Sequence, residues 1–336
     1  MLWQLSSAMK SIAYFNNKGG VGKTSLVYHT AWMFAELGYR TLMVDLDPQS
    51  NLSIMALDEE RLEALYAPPH TLFGAVAPLF GGTGDIRSAH IEPLSDALGL
   101  IVGDLALSTI EDDLSTEWPR CLEGRERAFR VTTAFWRVMK EAAERHQADV
   151  VLIDVGPNLG AINRAALVAA DHVVIPVASD LFSLQGLKNL GPTLRHWRNT
   201  WQQAKSKAPA VLGEQPNGEM SPIGYILMQR VERLGRPTIA YEKWQARLPG
   251  AYRESVLGEA IDQPITLPDP HQIQRVKHYR SLMPMAMEAR KPMFALRPAD
   301  GAIGAHQTNV QQCYEDFENL MHAIVDRAML KMGARV

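Results

Sequence analysis

The sequence predicts an α/β fold with a mostly parallel central sheet flanked by helices on both faces. A short β-rich run at 11–16 leads into a glycine-rich loop, a stretch with helical spacing, and a second apolar run that ends in acidic residues. This order of strand, loop, helix and strand is the opening unit of a parallel sheet. Further buried-strand patterns alternate with helical ones, and they lie at 98–103, 148–157, 172–177 and 222–228.

Helical periodicity predicts the elements between these strands. The first helix covers 23–37, where apolar residues recur at helical spacing and Gly38 supplies a C-cap. One continuous helix is predicted over 125–146, and a final helix over roughly 308–330 carries an apolar stripe that would pack on the core. The stripe consists of Val310, Tyr314, Phe317, Met321 and Ile324.

The composition is that of an ordinary globular protein. The chain has 336 residues and a net charge of −3, so any nucleic-acid binding would need a local basic patch. Cys121 and Cys313 are far apart and form no C-x-x-C pair. This argues against a zinc site, an iron–sulfur cluster or a disulfide framework and fits a reducing compartment. Because we find no signal peptide and no apolar run long enough for a transmembrane helix, we expect a cytoplasmic location.

The glycine-rich loop reads NNKGGVGKTS and resembles a phosphate-binding loop with one glycine missing. The usual pattern is G-x-x-x-x-G-K-[ST], and Asn17 stands where its first glycine should be. Asparagine tolerates positive φ, so we expect Asn17 to take over this conformational role. Lys23 would contact the β- and γ-phosphates of ATP, and Thr24 would bind Mg²⁺. The predicted ATP-binding loop comprises Asn17, Lys18, Gly19, Gly20, Val21, Gly22, Lys23, Thr24 and Ser25.

Aspartates end two of the buried strand patterns. VLIDVGP has the form of a Walker B strand, in which Asp154 would hold Mg²⁺ and Gly156 could move toward a γ-phosphate. VDLDPQ supplies Asp45 and Asp47 at the end of another strand. Ligands bind at the carboxyl ends of strands in α/β sheets, so we expect the three aspartates near the glycine loop. These features predict a P-loop NTPase.

The chain resembles the deviant-Walker ATPases of the ParA/MinD type, and within them the ParA/Soj partition proteins. The resemblance rests on four stretches in the same order and spacing, NNKGGVGKTS, VDLDPQSN, IDVGPNLG and NRAALVAADHVVIPVASDLFSLQGL. It extends loosely to a nucleotide-base loop near LPDP, which implies Pro268 and Asp269 as ATP-binding residues. We predict one ParA-like domain over 1–336, with a leader at 1–10 and family-variable insertions at 56–125 and 230–265.

The resemblance implies a role for each matching residue. Lys18 matches the signature lysine that reaches the phosphates of a partner chain in an ATP-bound homodimer, as an arginine finger acts in trans. Asp47 matches the switch I aspartate that orients the attacking water, and Asp45 is its neighbour near Mg²⁺. Gly156 begins switch II. The implied catalytic residues are Lys18, Lys23, Asp47 and Asp154, the implied metal ligands are Thr24, Asp45 and Asp154, and Asn163 matches an asparagine after switch II.

Non-specific DNA is the partner that the resemblance implies, besides a stimulating protein of the ParB kind. Basic residues in the C-terminal half would neutralise phosphates, although solvated helix faces would show the same pattern. The candidate DNA contacts are Arg195, Arg198, Arg230, Arg233, Arg275 and Lys277, with Lys205, Lys207, Arg236 and Arg280 beside them. Binding to DNA would place the protein on the nucleoid.

Two other functions stay open at this point. A regulatory or assembly ATPase could use the same switch on a protein complex, such as a secretion, chemoreceptor or defence apparatus. A MinD-like protein would attach to the membrane through a basic amphipathic tail. The tail AIVDRAMLKMGARV continues the apolar stripe of the last helix, which favours packing on the core over membrane attachment. The absence of a suitable cysteine pair disfavours an iron–sulfur scaffold or a nitrogenase-reductase-like role.

Overall fold

An eight-stranded sheet runs through the chain in the computed structural model, which describes residues 9–67, 69–228, 243–260, 268–279 and 281–332. Its strand order is β3-β4-β2-β5-β1-β6-β7-β8. Seven strands run parallel, and β3 pairs antiparallel with β4 at one edge. The strands are β1 (Lys10–Tyr14), β2 (Thr41–Asp45), β3 (Glu92–Ser95), β4 (Leu98–Ile101), β5 (Val150–Asp154), β6 (His172–Ala178), β7 (Ser221–Met228) and β8 (Gln272–Val276).

Helices cover both faces of this sheet, which confirms the predicted fold class. One face carries α4 to α10, and the other carries α1 to α3 with α11 and α12. The helices are α1 (Lys23–Glu36), α2 (Asn51–Ala56), α3 (Glu59–Tyr66), α4 (Leu72–Phe80), α5 (Glu111–Arg120), α6 (Glu126–Thr132), α7 (Ala134–His146), α8 (Ala161–Val168), α9 (Leu181–Lys205), α10 (Leu248–Ala251), α11 (Leu282–Ala289) and α12 (Ala305–Ala328).

The central strands β5 and β6 are buried along their whole length because helices cover both faces of the sheet. All five residues of β5 are buried, and so are all seven of β6. Continuous burial of this kind is typical of parallel sheets, in contrast to the alternating pattern of half-exposed strands. Because β1 lies between β5 and β6, the loop that leaves β1 emerges at the middle of the carboxyl edge of the sheet.

The predicted helix over 125–146 is two helices in the structure. Helices α6 and α7 are separated at Thr133, where φ is −100° and ψ is 9°. The Thr133 hydroxyl donates a hydrogen bond to the carbonyl of Phe129 at 2.7 Å. A threonine that bonds the carbonyl four residues back bends a helix, and this one lies at the break. The apolar periodicity continues through 133, so it did not indicate the interruption.

The last helix confirms its predicted apolar stripe and anchors α1. Phe317, Met321 and Ile324 of α12 are buried, and Phe317 stacks on the ring of His29 with 5.1 Å between centroids. His29 itself is buried in α1, six residues after Lys23. The packing of α12 therefore holds the helix that begins at the glycine loop.

Candidate nucleotide-binding site

The glycine loop joins β1 to α1 and contains two residues with positive φ. These are Gly20 at 69° and Gly22 at 85°, and Gly22 is the N-cap of α1. Asn17 does not have positive φ, so the expectation that it replaces a left-handed glycine is wrong. The physical reason is that the turn takes its two left-handed positions at glycines, where they cost least. Gly19 and Gly20 of the glycine loop are exposed, so the loop backbone is open to a ligand.

Lys23 lies at the first position of α1 with its side chain buried. Its Nζ donates to the carbonyl oxygen of Asn16 at 3.1 Å and lies 3.5 Å from that of Lys18. Burial lowers the pKa of Lys23, and the nearby carboxylates of Asp154 and Asp47 offset part of this effect. The ammonium is therefore held across the loop, at the positive end of a helix, in a position suited to an anion.

Asn16 also shapes the loop, although the sequence did not single it out. It is fully buried, and its Nδ2 donates to the Pro176 carbonyl of β6 at 2.7 Å. Its Oδ1 accepts from the backbone N–H of Lys18 at 3.0 Å, and its own carbonyl accepts from Lys23. The sequence signal for this role is the pair of adjacent asparagines, Asn16 and Asn17, before the glycine loop.

Asp154 ends β5 beside the loop, and its carboxylate makes no hydrogen bond within the described residues. In the sheet register it pairs with Tyr14 of β1 and with Asp45 of β2. Its side chain is fully buried, and neither carboxylate oxygen has a hydrogen-bond partner among the described residues. Burial raises the pKa of Asp154 well above its usual range, and the charge of Asp45 raises it further. A buried carboxylate whose oxygens accept no hydrogen bond fits a bound cation.

Asp45 differs from Asp154 because its carboxylate is already satisfied. Its Oδ2 accepts from the backbone N–H of Ser53 at 2.9 Å and from the Ser53 hydroxyl at 2.7 Å. Burial raises the pKa of Asp45 to about 7, while the Ser53 hydrogen bonds oppose the rise. Asp45 thus ties the end of β2 to α2. Of these two aspartates, Asp154 is the one whose oxygens accept no hydrogen bond within the described residues.

Asp47 lies next to Gly156, so the structure brings together the residues that the sequence assigned to the two switches. A Cβ on Gly156 would lie 3.3 Å from Asp47 Oδ1, a tight contact that the Asp47 side chain would have to relieve by shifting slightly. Asp47 Oδ1 also accepts from the backbone N–H of Gln49 at 3.0 Å. The side chain is buried but not enclosed, with 7% of its surface exposed.

Two side chains hold the segment after β5, which the family resemblance implied to be switch II. Asn163 of α8 donates through Nδ2 to the carbonyls of Gly156 and Asn158, each at 2.8 Å. Glu111 of α5 accepts from the backbone N–H groups of Ala161 at 2.5 Å and Ile162 at 2.9 Å, which caps α8. Glu111 was missed because its partners lie 50 residues away in sequence.

A magnesium ion would need the nucleotide as a co-ligand at this site. In the described ranges, no group of three or more His, Cys, Asp or Glu side chains is arranged to hold a metal ion. An interaction with the Thr24 side chain lowers the pKa of Asp154 against the larger effect of burial, so the two side chains could share one Mg²⁺ ion. Mg²⁺ is usually bound by one or two protein oxygens together with phosphates and water. The residues present therefore fit Mg²⁺ bound with a nucleotide.

The side chain of Lys18 forms an ion pair at the start of α9 in its own chain. Its Nζ lies 2.5 Å from Oδ2 of Asp180, and 6.0 Å from the centroid of the Phe182 ring. Burial alone would raise the pKa of Asp180, but the hydrogen bonds from Lys18 and Ser183 outweigh it and lower the pKa. The two lysines of the loop are therefore in different environments. Lys23 is buried and donates to the Asn16 carbonyl, and Lys18 forms an ion pair with Asp180.

Comparison with known proteins agrees with this site. A family model described as an AAA domain matches residues 9–206, which is more than half of the chain. The chain belongs to the ParA/MinD-type P-loop ATPases. The matched range contains the glycine loop, the three strand-end aspartates and α8. The family that the four sequence stretches predicted is confirmed.

Two curated relatives in this family match by sequence. The chain is 35% identical over 193 residues to Protein IncC of Escherichia coli, and 34% identical over 195 residues to the chromosome-partitioning ATPase Soj of Thermus thermophilus. These matches cover 57% and 58% of this chain. The chain spans about half the length of IncC, 48%, and 65% of the length of Soj.

A solved structure shares the fold over nearly the whole chain. Protein DIP2308 of Corynebacterium diphtheriae superposes with a TM-score of 0.70 at 24% sequence identity. The match covers 95% of this chain and 98% of DIP2308. It therefore extends beyond residue 206 to the C-terminal strands and helices, where the sequence resemblance was loose.

The base-loop residues that the family resemblance implied do not reach the site. Pro268 and Asp269 precede β8, which runs parallel to β7, so they lie at the opposite edge of the sheet from the glycine loop. Asp269 is buried and accepts from the Tyr225 hydroxyl at 2.6 Å. Only segments that follow a parallel strand reach its carboxyl edge. The prediction for Pro268 and Asp269 is therefore wrong. Lys277 follows β8 and so lies at the same edge of the sheet as the glycine loop.

The predicted DNA contacts and the basic residues beside them fall into four groups. Arg195 and Arg198 donate to backbone carbonyls within the chain, Arg195 to Val256 at 3.1 Å and Arg198 to Met220 at 2.9 Å. These two guanidinium groups therefore have structural partners. Arg275 and Lys277 are exposed on and just after β8. Arg230, Arg233, Arg236 and Arg280 lie outside the described residues, while Lys207 donates to the Leu122 carbonyl at 2.7 Å and Lys205 lies 3.4 Å from Asn217 Oδ1.

The described helices include none that is both long and apolar enough to cross a membrane. The two longest, α9 and α12, are amphipathic, and each has a buried side and an exposed polar side. The apolar stripe of α12 packs on the core, as its sequence predicted.

Proposed function

We propose that this chain is an ATP-dependent dimerising switch of the ParA type, which binds ATP with Mg²⁺ at the glycine loop and hydrolyses it weakly until a partner stimulates it. One observation carries the proposal. The Lys23 ammonium is buried at the start of α1 near Asp154, whose two carboxylate oxygens have no hydrogen-bond partner in the part of the chain that the structure describes. A nucleotide phosphate and a cation would satisfy both groups together.

The residues of the site would divide the chemistry between them. Backbone N–H groups of the loop and of the first turn of α1 would bind the phosphates, and Lys23 would contact the β- and γ-phosphates. Thr24 and Asp154 would hold Mg²⁺, which when bound neutralises negative charge on the phosphate oxygens. Asp47 would orient the attacking water. Lys18 would bring a second positive charge to the phosphates of the other chain, so that hydrolysis requires a dimer.

The cargo that the relatives favour is DNA. Soj is described as a chromosome-partitioning ATPase. By analogy we propose that the ATP-bound dimer of this chain binds DNA non-specifically and positions or segregates it, with a protein of the ParB kind as the stimulating partner. Exposed Arg275 and Lys277 support DNA contacts at the β8 edge. If the cargo is instead a protein complex, the same switch would act as an assembly ATPase.

Replacing Lys18 with alanine is expected to leave ATP affinity within about threefold of wild type and to abolish ATP-induced dimerisation and hydrolysis. The reason is that Lys18 would act on the phosphates of the other chain, while Lys23 binds those of its own. Binding of a fluorescent ATP analogue measures the first effect. Size-exclusion chromatography with light scattering, with ATP or ADP, measures the second.

Lys188→Ala is the matched control for Lys18→Ala, because Lys188 is an exposed lysine of α9 and is not part of the proposed site. It should dimerise and hydrolyse ATP as wild type does. Survival of both dimerisation and hydrolysis in Lys18→Ala would show that the lysine does not act across a dimer.

DNA co-sedimentation is expected to retain more protein with ATP than with ADP or without nucleotide. Arg275→Ala should lower the retained fraction severalfold, because loss of one phosphate contact weakens binding at every sequence. Arg125→Ala is the control, since Arg125 is an exposed arginine outside the candidate DNA contacts. If ATP gives no increase even at low salt, DNA is not the cargo, and the assembly-ATPase alternative is favoured.

A further inference from the structure

The signature lysine of this chain is engaged within its own chain. Lys18 Nζ lies 2.5 Å from Asp180 Oδ2, and both side chains are about three-quarters buried, with 23% and 24% of their surfaces exposed. The ammonium also lies over the face of Phe182 at 6.0 Å from the ring centroid. The two ends of this ion pair are 162 residues apart in sequence. The contact therefore depends on the complete fold and not on local chain geometry.

Asp180 uses its two carboxylate oxygens for two separate purposes. Oδ1 accepts from the backbone N–H of Ser183 at 2.8 Å, which makes Asp180 the N-cap of α9. Oδ2 accepts from Lys18. Because asparagine is as good an N-cap as aspartate, a change to asparagine keeps the cap and removes the ion pair. The chain thus offers a substitution that separates the two functions.

We infer that Asp180 is a positioning residue that holds Lys18 on its own chain until ATP-driven dimerisation moves the lysine to the partner chain. This inference rests on the proposed function, in which Lys18 acts across the dimer. A lysine held between Asp180 and Phe182 has to leave both contacts before it can reach another chain. The ion pair therefore opposes dimerisation. In the monomer it keeps Lys18 away from the phosphates of any other chain.

The size of this effect follows from the number of ion pairs. A partly exposed ion pair contributes about 0.2–1 kcal/mol, so each chain would favour the held lysine by roughly threefold. Both chains must release their lysine to form one dimer, so the factor enters twice. Removal of the ion pair should therefore lower the dimer dissociation constant about tenfold.

The variant Asp180→Asn tests the inference through the ATP-dependent dimer dissociation constant, measured by light scattering or sedimentation over a range of protein concentrations. We expect about tenfold tighter dimerisation and a higher ATPase rate at protein concentrations below the wild-type dissociation constant. Glu214→Gln is the control, because it removes another ion pair, Lys140–Glu214, away from the loop. It should leave dimerisation unchanged.

Ionic strength gives a second readout that a purely structural role of Asp180 would not change. Salt weakens the ion pair in wild type but has no pair to weaken in Asp180→Asn. The difference in dimer affinity between the two proteins should therefore shrink as salt rises from about 50 mM to about 500 mM. Asp180→Ser, which also keeps an N-cap, should match Asp180→Asn.

The outcomes separate this inference from the proposed function. A wild-type chain that stays monomeric with ATP would overturn the proposed function. A wild-type chain that dimerises, together with an Asp180→Asn variant of equal or weaker dimer affinity, would overturn only the role of Asp180. In the double variant Lys18→Ala/Asp180→Asn, the gain from Asp180→Asn should vanish, because the held lysine is no longer present. A gain that persists without Lys18 would contradict the inference.

Discussion

Lys23→Ala is expected to weaken ATP binding roughly 100-fold and to abolish turnover, because it removes the charged donor that is buried at the start of α1. In the wild-type chain, Lys23 Nζ donates to the carbonyl of Asn16. The same ammonium offsets part of the negative charge of the Asp154 carboxylate. Titration with a fluorescent ATP analogue measures the affinity, and release of phosphate measures turnover.

Two controls sharpen the test of Lys23. Lys188→Ala changes an exposed lysine elsewhere and should bind ATP normally. Lys23→Arg keeps the positive charge but brings a larger, planar group into a buried position, so it should restore little of the binding. Normal ATPase activity in Lys23→Ala would refute the assignment of the glycine loop as the nucleotide site.

Asp154→Asn is expected to lower Mg²⁺-dependent ATP hydrolysis about 100-fold while stabilising the chain without nucleotide by about 1–3 kcal/mol at neutral pH. The first effect follows from loss of the carboxylate that would hold Mg²⁺. The second follows from removal of a buried charge whose oxygens have no hydrogen-bond partner within the described chain. Denaturant unfolding without nucleotide measures the stability, and phosphate release measures hydrolysis.

The raised pKa of Asp154 determines how the stability of the chain without nucleotide changes with pH. The pKa of Asp154 is raised in the folded chain, so between its unfolded and folded pKa the folded state binds more protons than the unfolded state. Stability without nucleotide should therefore fall as pH rises through this window, and Asp45, whose pKa is raised to about 7, contributes in the same direction. Asp154→Asn should be more stable than wild type at pH 7 and about equally stable near pH 4.

Asp171→Asn is the matched control for Asp154→Asn. Asp171 precedes β6 at the other edge of the sheet, and its Oδ2 accepts from the backbone N–H and the hydroxyl of Ser11, each at 2.9 Å. Because this carboxylate has partners, the change to asparagine should not stabilise the chain and should leave hydrolysis near wild type. Equal behaviour of the two variants would show that Asp154 has no special relation to a cation.

The sequence predicted the parts of the fold that depend on local pattern. The buried runs became β1, β2, β4, β5, β6 and β7, and α1 ends where Gly38 adopts a φ of 93°. The glycine loop and the aspartates at the ends of β2 and β5 converge, because carboxyl ends of parallel strands share one edge. The break at Thr133 was not predicted, because a side-chain hydrogen bond interrupts a helix without changing its apolar spacing.

The features of the site that could not be predicted from the sequence depend on contacts between residues far apart in the chain. Asp45 and Asp154 have the same chemistry and lie in register, yet Ser53 satisfies only Asp45. Lys18 and Asp180 could be paired only once β1 and β6 were known to be neighbours. The error over Asp269 arose because a loop before a strand was not distinguished from a loop after it, and this choice decides the edge of the sheet.

The cap that Glu111 provides to α8 limits how the segment 56–125 can be exchanged for that of another protein. Glu111 lies within 56–125, which the sequence analysis predicted as a family-variable insertion, yet it accepts from the N–H groups of Ala161 and Ile162 in the first turn of α8. A chimera that takes this segment from another protein also replaces the capping carboxylate. The graft therefore has to bring an acidic residue to the same place, or α8 begins with two unpaired donors. Position 111 therefore serves the start of α8 as well as its own helix.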